Sequence, residues 1–80
     1  MIYERHALKA LAKMPSNTAN LIRSKVDQLA ENPQSLANNI KALKGRPGVF
    51  RLRVGDWRVI YRDGVVIAVI RIAPRGAAYE

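Results

Sequence analysis

The chain contains no cysteine and only one histidine, which removes two common kinds of protein chemistry. Without cysteine it has neither disulfides nor thiolate metal ligands, and it fits a reducing compartment such as the cytoplasm. A metal site would have to be assembled from one histidine and six scattered carboxylates. We therefore expect no metal and no other cofactor, and we expect the single histidine, His6, to be a surface residue.

Long apolar runs are also missing. No stretch approaches the ~20 apolar residues that cross a bilayer. The N-terminus turns polar at Glu4-Arg5-His6, which is not typical of a signal peptide. The sequence therefore predicts a protein with no membrane partner. Its 80 residues, 49% of them hydrophobic, have room for a single domain over 1–80 with one modest core.

Negative charge is scarce. The chain has six acidic and fourteen basic residues, which gives a net charge of +8. Residues 41–80 hold nine basic and three acidic residues, whereas residues 1–40 hold five and three. Such a field favours nucleic acid, anionic lipid or an acidic partner. Nine of the fourteen basic residues are arginine, whose planar fork binds phosphate oxygens in pairs, so phosphate is the favoured ligand.

Two helices are predicted in the first half by apolar residues at helical spacing. The first extends from Arg5 to about Met14 and is interrupted at Pro15-Ser16-Asn17. The second extends to about Glu31, because proline disfavours helical geometry at the residue before it and Asn32-Pro33 follows.

Strands are predicted in the second half, over residues 49–54, 57–62 and 65–72, with 34–48 as a connector. Ile2-Tyr3 is a candidate for a very short first strand. The fold class is therefore α+β, with a helical hairpin packed on a small, mainly antiparallel sheet of three to four strands.

The segment Arg51–Arg62 alternates apolar and basic residues on both sides of Gly55-Asp56. A two-residue Gly-Asp loop predicts a tight hairpin in which Arg53 lies opposite Arg58. Like charges directly opposite each other destabilise a sheet, so this pairing favours a bound anion. One face is expected to carry Phe50, Leu52, Val54, Trp57, Val59 and Tyr61, and the other Arg51, Arg53, Arg58 and Arg62 around Ile60.

A second two-residue loop, at Asp63-Gly64, predicts that Tyr61 lies opposite Val66. In that register an aliphatic row would lie exposed on the basic face of the sheet. Exposed apolar patches often mark binding sites, although the chain terminus or a connector could equally cover this one. The row consists of Val65, Ile67 and Val69, and Arg71 follows it.

Three segments resemble the RelE branch of the RelE/ParE toxin superfamily: Leu43–Gly45, Val49–Arg62 and the tail Arg71–Tyr79. The likeness covers nearly the whole chain. It implies a RelE-like fold and the toxin of a bacterial type II toxin–antitoxin pair. The implied activity is ribosome-dependent, metal-independent cleavage of mRNA in the A site, by attack of a 2′-hydroxyl on the adjacent phosphate. The implied partners are a cognate antitoxin, in a hetero-oligomer, and the ribosome with its mRNA.

The resemblance also implies roles for individual residues. Arg51 and Arg53 would bind phosphate, Arg58 and Arg75 would stabilise the transition state, and Tyr79 would stack on the substrate nucleotides. These five form the expected catalytic set. The expected RNA-binding set is Lys41, Lys44, Arg46, Arg62 and Arg71. The expected antitoxin-binding set is Val65, Ile67 and Val69.

Two departures from the family pattern affect proton transfer. Arginine cannot act as a general base because its pKa exceeds about 12, and Pro74 stands where the family tail carries histidine. Tyr79 and Lys44 remain as candidates. A ParE-like inhibitor of DNA gyrase and a non-catalytic or decayed RNA-binding homologue stay open as alternatives. Arg58, Arg75 and Tyr79 favour the RelE-like reading over the first of these.

Overall fold

Helices precede most of the sheet in the computed structural model, which describes residues 1–75. The helices are α1 (Arg5–Lys13) and α2 (Ser16–Glu31), and a 3-10 helix follows over Pro33–Asn39. The strands are β1 (Ile2–Tyr3), β2 (Ile40–Ala42), β3 (Val49–Val54), β4 (Trp57–Asp63) and β5 (Ile67–Pro74).

All five strands form one sheet in the order β1-β5-β4-β3-β2. Strand β1 is parallel to β5, and the other neighbours are antiparallel. The predicted α+β class is confirmed, but the sheet has one strand more than expected. The additional strand, β2, lies inside the predicted connector and pairs with residues 50–52 of β3. Three residues are too few to show a period-two pattern in the sequence.

Prolines set the helix boundaries. Pro15 precedes α2 in an extended conformation, so the chain turns between the two helices. Pro33 occupies the first turn of the 3-10 helix, where its missing N–H costs nothing. The backbone N–H of Asn32 donates to the carbonyl of Gln28 at 2.8 Å, which closes the end of α2.

The main core lies between the helices and one face of the sheet, called here the inner face. From α2 it receives Ile22, Val26 and Leu29, each at most 1% exposed. Full burial of such a side chain contributes about 1.5–3 kcal/mol. The sheet contributes Leu52, Val54, Val59, Tyr61, Val69 and Ile72.

The β3–β4 hairpin has the register predicted from the sequence. Val54 pairs with Trp57 and Arg53 pairs with Arg58. Gly55 adopts a φ of +57°, a conformation that side chains with a Cβ rarely enter, and so allows the two-residue turn. The apolar residues Phe50, Leu52, Val54, Trp57, Val59 and Tyr61 of this hairpin therefore lie on the inner face, and its arginines lie on the opposite face with Val49 and Ile60.

The register predicted for β4 and β5 is wrong. Asp63 belongs to β4 and pairs with Ile67, so the loop has three residues rather than two, and Tyr61 pairs with Val69. A second irregularity lies where Ile60 pairs with Arg71, because the residue between Val69 and Arg71 has no partner of its own and forms a β-bulge.

Candidate RNA-binding face

The face of the sheet opposite the helices, called here the outer face, carries the basic side chains of four strands, β2 to β5. Because strand residues alternate between faces, each arginine that alternates with a core residue points outward. The pairings place Lys41, Arg51, Ile60 and Arg71 in one row across the sheet. The adjacent row contains Arg53, Arg58 and Ala73.

The floor of this face is apolar. Val49, Ile60 and Ala73 are buried together, and Leu43 and Ile70 pack against them. None of the seven positions in the two rows, all within residues 1–75, is acidic. The outer face thus combines a small apolar floor with a concentration of positive charge.

Arg58 differs from the other basic residues of the outer face because its side chain is almost enclosed, at 8% exposure. Its Nη1 donates to the carbonyl oxygens of Gly55 at 3.2 Å and Trp57 at 3.1 Å. The guanidinium therefore braces the β3–β4 turn while it contributes charge to the outer face. Its partner across the strands, Arg53, is exposed.

A cavity of about 260 Å³ opens beside β2, where it meets the β2–β3 loop. The loop is closed by backbone bonds from Arg46 to Leu43 and from Val49 to Arg46, of 3.3 and 3.1 Å. Four cationic side chains and two apolar residues line the cavity, which is wide enough to admit a phosphate group. The lining residues are Lys41, Ala42, Leu43, Lys44, Arg46 and Arg51.

Arg75 lies at the end of the described chain, close to the turn that Arg58 braces. Its backbone N–H donates to the carbonyl of Asp56 at 2.7 Å. Arg58 and Arg75 are thus brought to the same end of the sheet. Tyr79, the remaining member of the expected catalytic set, lies outside the described residues.

The side chain of Arg62 points away from the two basic rows, toward Glu4. It occupies the outer-face row of Val49 and Ala68, and its Nη1 lies 3.5 Å from the carboxylate of Glu4. This ion pair is exposed, so it contributes little to stability. It draws Arg62 toward the β1 edge of the sheet, away from the cavity.

The predicted aliphatic row on the outer face does not exist. Val69 is fully buried on the inner face, and Ile67 packs against the same core. Val65 is in the three-residue loop and is completely exposed. Tyr61 pairs with Val69 rather than with Val66, a register shift of three positions, and a shift by an odd number of residues reverses the face to which Ile67 and Val69 point.

The two tyrosines of the sheet lie away from the basic rows. Burial, followed by the charge of Asp63, raises the pKa of Tyr61 to about 12. Burial also raises the pKa of Tyr3, the nearby Asp27 raises it further, and Arg23 lowers it. The Arg23 guanidinium lies over the Tyr3 ring, 5.5 Å from its centroid. Neither phenol is placed to exchange protons on the outer face.

Within residues 1–75, no cluster of three or more histidine, cysteine, aspartate or glutamate side chains is arranged to hold a metal ion. In the same residues, neither helix has the length and apolarity required to cross a membrane. His6 is exposed on α1, as predicted.

The chain is a small α+β protein whose sheet carries basic residues on its outer face. The sequence model of the family described as "ParE toxin of type II toxin-antitoxin system, parDE" matches residues 1–79. A protein of Methanocaldococcus jannaschii named toxin RelE1 is 31% identical, over 95% of this chain and 89% of that protein. The chain belongs to the RelE/ParE superfamily of type II toxin–antitoxin toxins.

Solved structures show the same fold. The RelB–RelE antitoxin–toxin complex of Methanococcus jannaschii contains a chain with a TM-score of 0.75 and 22% identity, covering 92% of this chain and 90% of that one. A chain of the intact E. coli RelBE complex has a TM-score of 0.74 and 22% identity, covering 91% of this chain and 92% of that one. A chain of the RelBE2 complex of Mycobacterium tuberculosis has a TM-score of 0.63 and 22% identity, covering 91% of this chain and 93% of that one.

Sequence reasoning missed two features of this site. It did not place Lys41 in the same row as Arg51, because the three residues of β2 are too few to show a strand pattern. It also did not predict that Arg58 is almost enclosed and bonded to the carbonyls of the tight turn before it. The second feature changes the expected behaviour of Arg58 variants.

Proposed function

We propose that this toxin is a metal-independent endoribonuclease that cuts mRNA in the ribosomal A site. The observation that carries the proposal is the pair of basic rows on the outer face, which continue into the cavity beside β2. Arginine and lysine held on a rigid sheet neutralise phosphate without a metal ion. The relatives named RelE support the same activity by similarity.

In the proposed reaction, the 2′-oxygen of a ribose attacks the adjacent phosphorus. A bond forms between the 2′-oxygen and phosphorus, and the bond from phosphorus to the 5′-oxygen breaks. The products are a 2′,3′-cyclic phosphate and a free 5′-hydroxyl. The intermediate phosphorane carries extra negative charge, and arginines fixed on the sheet stabilise that charge more than the ground-state phosphate.

Proton transfer in this scheme requires a group other than arginine. The cavity brings Lys44 beside Lys41 and Arg51 of the basic row, so these two lysines are candidates among the described residues. Tyr79 remains a candidate by resemblance. The ribosome would contribute by holding the 2′-oxygen in line with the bond that breaks.

Inhibition of DNA gyrase is the second candidate function, because the matching family model describes a ParE toxin. A third is binding of RNA without cleavage. The purified toxin separates all three in two assays. Primer extension on translated mRNA detects cleavage at A-site codons, and a supercoiling assay detects gyrase inhibition. Intact message with blocked supercoiling supports the second function, and two negative results support the third.

The same cleavage assay tests whether the outer face is the catalytic surface. The variants replace exposed arginines, so the core stays intact. We expect Arg53→Gln to slow cleavage by about 10²–10³-fold, because a donor to the reacting phosphate is lost, and Arg71→Gln to slow cleavage through weaker RNA binding. The matched control is Lys25→Gln, because Lys25 lies on α2, on the helical side of the sheet. Cleavage by both arginine variants at the rate of the control would exclude the outer face as the catalytic surface.

A further inference from the structure

The ladder between β4 and β5 continues one step beyond the basic rows, to Asp56 in the β3–β4 turn and Arg75 after β5. The backbone N–H of Arg75 donates to the carbonyl of Asp56 at 2.7 Å. The preceding pair, Trp57 and Pro74, belongs to the inner face, so the alternation of strand residues assigns Asp56 and Arg75 to the outer face. Both side chains are exposed.

Asp56 adds a carboxylate to a surface that is otherwise basic or apolar. Arg58 is two positions away along the chain, about 7 Å of extended strand, and Arg53 pairs with Arg58. Among the described residues, the positions that β2 to β5 and this turn contribute to the outer face include one acidic side chain, that of Asp56. A carboxylate repels phosphate, so a face that only bound RNA would bind it less well with Asp56 present.

The proposed cleavage requires a proton acceptor at this end of the sheet. The 2′-hydroxyl must lose its proton as its oxygen attacks, and arginine cannot accept that proton, whereas an ionised carboxylate can. The lysine candidates lie farther away, because Lys41 shares the row of Ile60, which is four positions or about 13 Å along the strand from Asp56. The fold thus brings a carboxylate beside Arg58 and Arg75, the two arginines expected to stabilise the transition state.

We propose that the Asp56 carboxylate is the general base of this cleavage, with the arginines around it holding the reacting phosphate. The carboxylate takes the proton of the 2′-hydroxyl while the 2′-oxygen forms its bond to phosphorus. The 5′-oxygen leaves with the electron pair of the bond that breaks and takes a proton from water, and the carboxylate then returns its proton to solvent. This role rests on the proposed function, because it is a step of that reaction.

Single-turnover cleavage of mRNA on ribosomes loaded beforehand tests this role. Asp56→Asn keeps the size of the side chain and suits a tight turn, but it cannot accept the proton, so we expect cleavage about 10²–10⁴-fold slower at neutral pH. Asp56→Glu retains a carboxylate and should be faster than Asp56→Asn. The matched control is Asp63→Asn, the same change at an exposed residue near the other end of β4, which should cleave at the wild-type rate.

The pH dependence of the rate separates a base from a structural residue. With a carboxylate as base the wild-type rate should be level above neutrality, whereas in Asp56→Asn hydroxide must remove the proton and the rate should rise about tenfold per pH unit. The charged groups facing Asp56 on the sheet are Arg53, Arg58 and Arg75, and arginine stays protonated throughout. On the helical side, Lys13 lines a groove with Trp57 and Pro74, and Lys13→Gln should keep the level profile.

RNA binding separates loss of the base from loss of affinity. Labelled oligouridylate should bind Asp56→Asn at least as tightly as wild type, because a negative charge is removed from a basic face. Cleavage by Asp56→Asn at the rate of Asp63→Asn would overturn the role of Asp56, as would slower cleavage with the wild-type pH profile, and both leave the proposed function in place. If the wild-type toxin leaves translated message intact, the proposed function itself fails and the role of Asp56 fails with it.

Discussion

Arg53 and Arg58 face each other across β3 and β4, but their surroundings give them different tasks. Arg58 is almost enclosed and donates to two carbonyl oxygens of the turn, whereas Arg53 extends into solvent. Arg58→Ala would leave those carbonyls without their donor, so we expect a loss of about 1–3 kcal/mol in the free energy of unfolding. Arg53→Ala should change it by no more than about 0.5 kcal/mol.

Urea unfolding of both variants measures the difference. Slower cleavage by Arg58→Ala would be informative about the proposed catalysis only under conditions in which this variant remains folded. Equal stability of the two variants would show that the Arg58 guanidinium does not brace the turn in solution.

Burial raises the pKa of Tyr61 from its ordinary value of 10.0 to about 12, and the charge of Asp63 adds to the rise. In the unfolded chain the phenol ionises near pH 10, whereas in the folded chain burial keeps it protonated. Stability from this group is therefore complete below pH 10 and is lost as the pH rises toward 12. Tyr61→Phe removes the titration and retains the ring that stacks on Phe50, with centroids 5.6 Å apart.

Urea unfolding of wild type and Tyr61→Phe at pH 9 to 12 tests whether this contribution to stability falls as the pH rises. The stability advantage of wild type over the variant should fall within that window and stay constant below it. A difference independent of pH throughout would mean that Tyr61 ionises equally in both states.

At the scale of elements, the β3–β4 hairpin could be predicted from the sequence because every local signal agreed. The Gly55-Asp56 loop fixed the turn, and the alternation fixed both faces. The register of β5 could not be predicted, because its three-residue loop and the bulge at Ile70 depend on packing against β4 rather than on a local pattern. Strand β2 was not predicted because three residues are too few to show a period-two pattern, and the cavity between Lys41 and Arg51 was missed with it.

The register of β5 predicts that a substitution at Val69, in the core, costs more stability than the same substitution at Val65, in the loop. Val69→Ser should lower the free energy of unfolding by about 2 kcal/mol or more, because apolar burial is lost and a hydroxyl enters the core. Val65→Ser, in the exposed loop, should stay within about 0.5 kcal/mol of wild type. Thermal melts decide, and similar losses in both variants would contradict the three-residue loop.

Across the whole molecule, the two faces of the sheet differ. The outer face carries the basic rows, and the helices cover the inner face. This difference predicts that a polyanion binds to the outer face.

Salt dependence measures the contribution of the outer face. For a single strand, each neutralised phosphate contributes about −0.7 to the slope of log Kobs against log salt concentration. With fluorescein-labelled oligouridylate, Arg53→Gln should therefore bind with a slope less steep by about 0.7, as one phosphate contact is lost. Lys13→Gln, on the helical side, should retain the wild-type slope. If Lys13→Gln reduced the slope and Arg53→Gln did not, RNA would lie along α1 and not on the outer face.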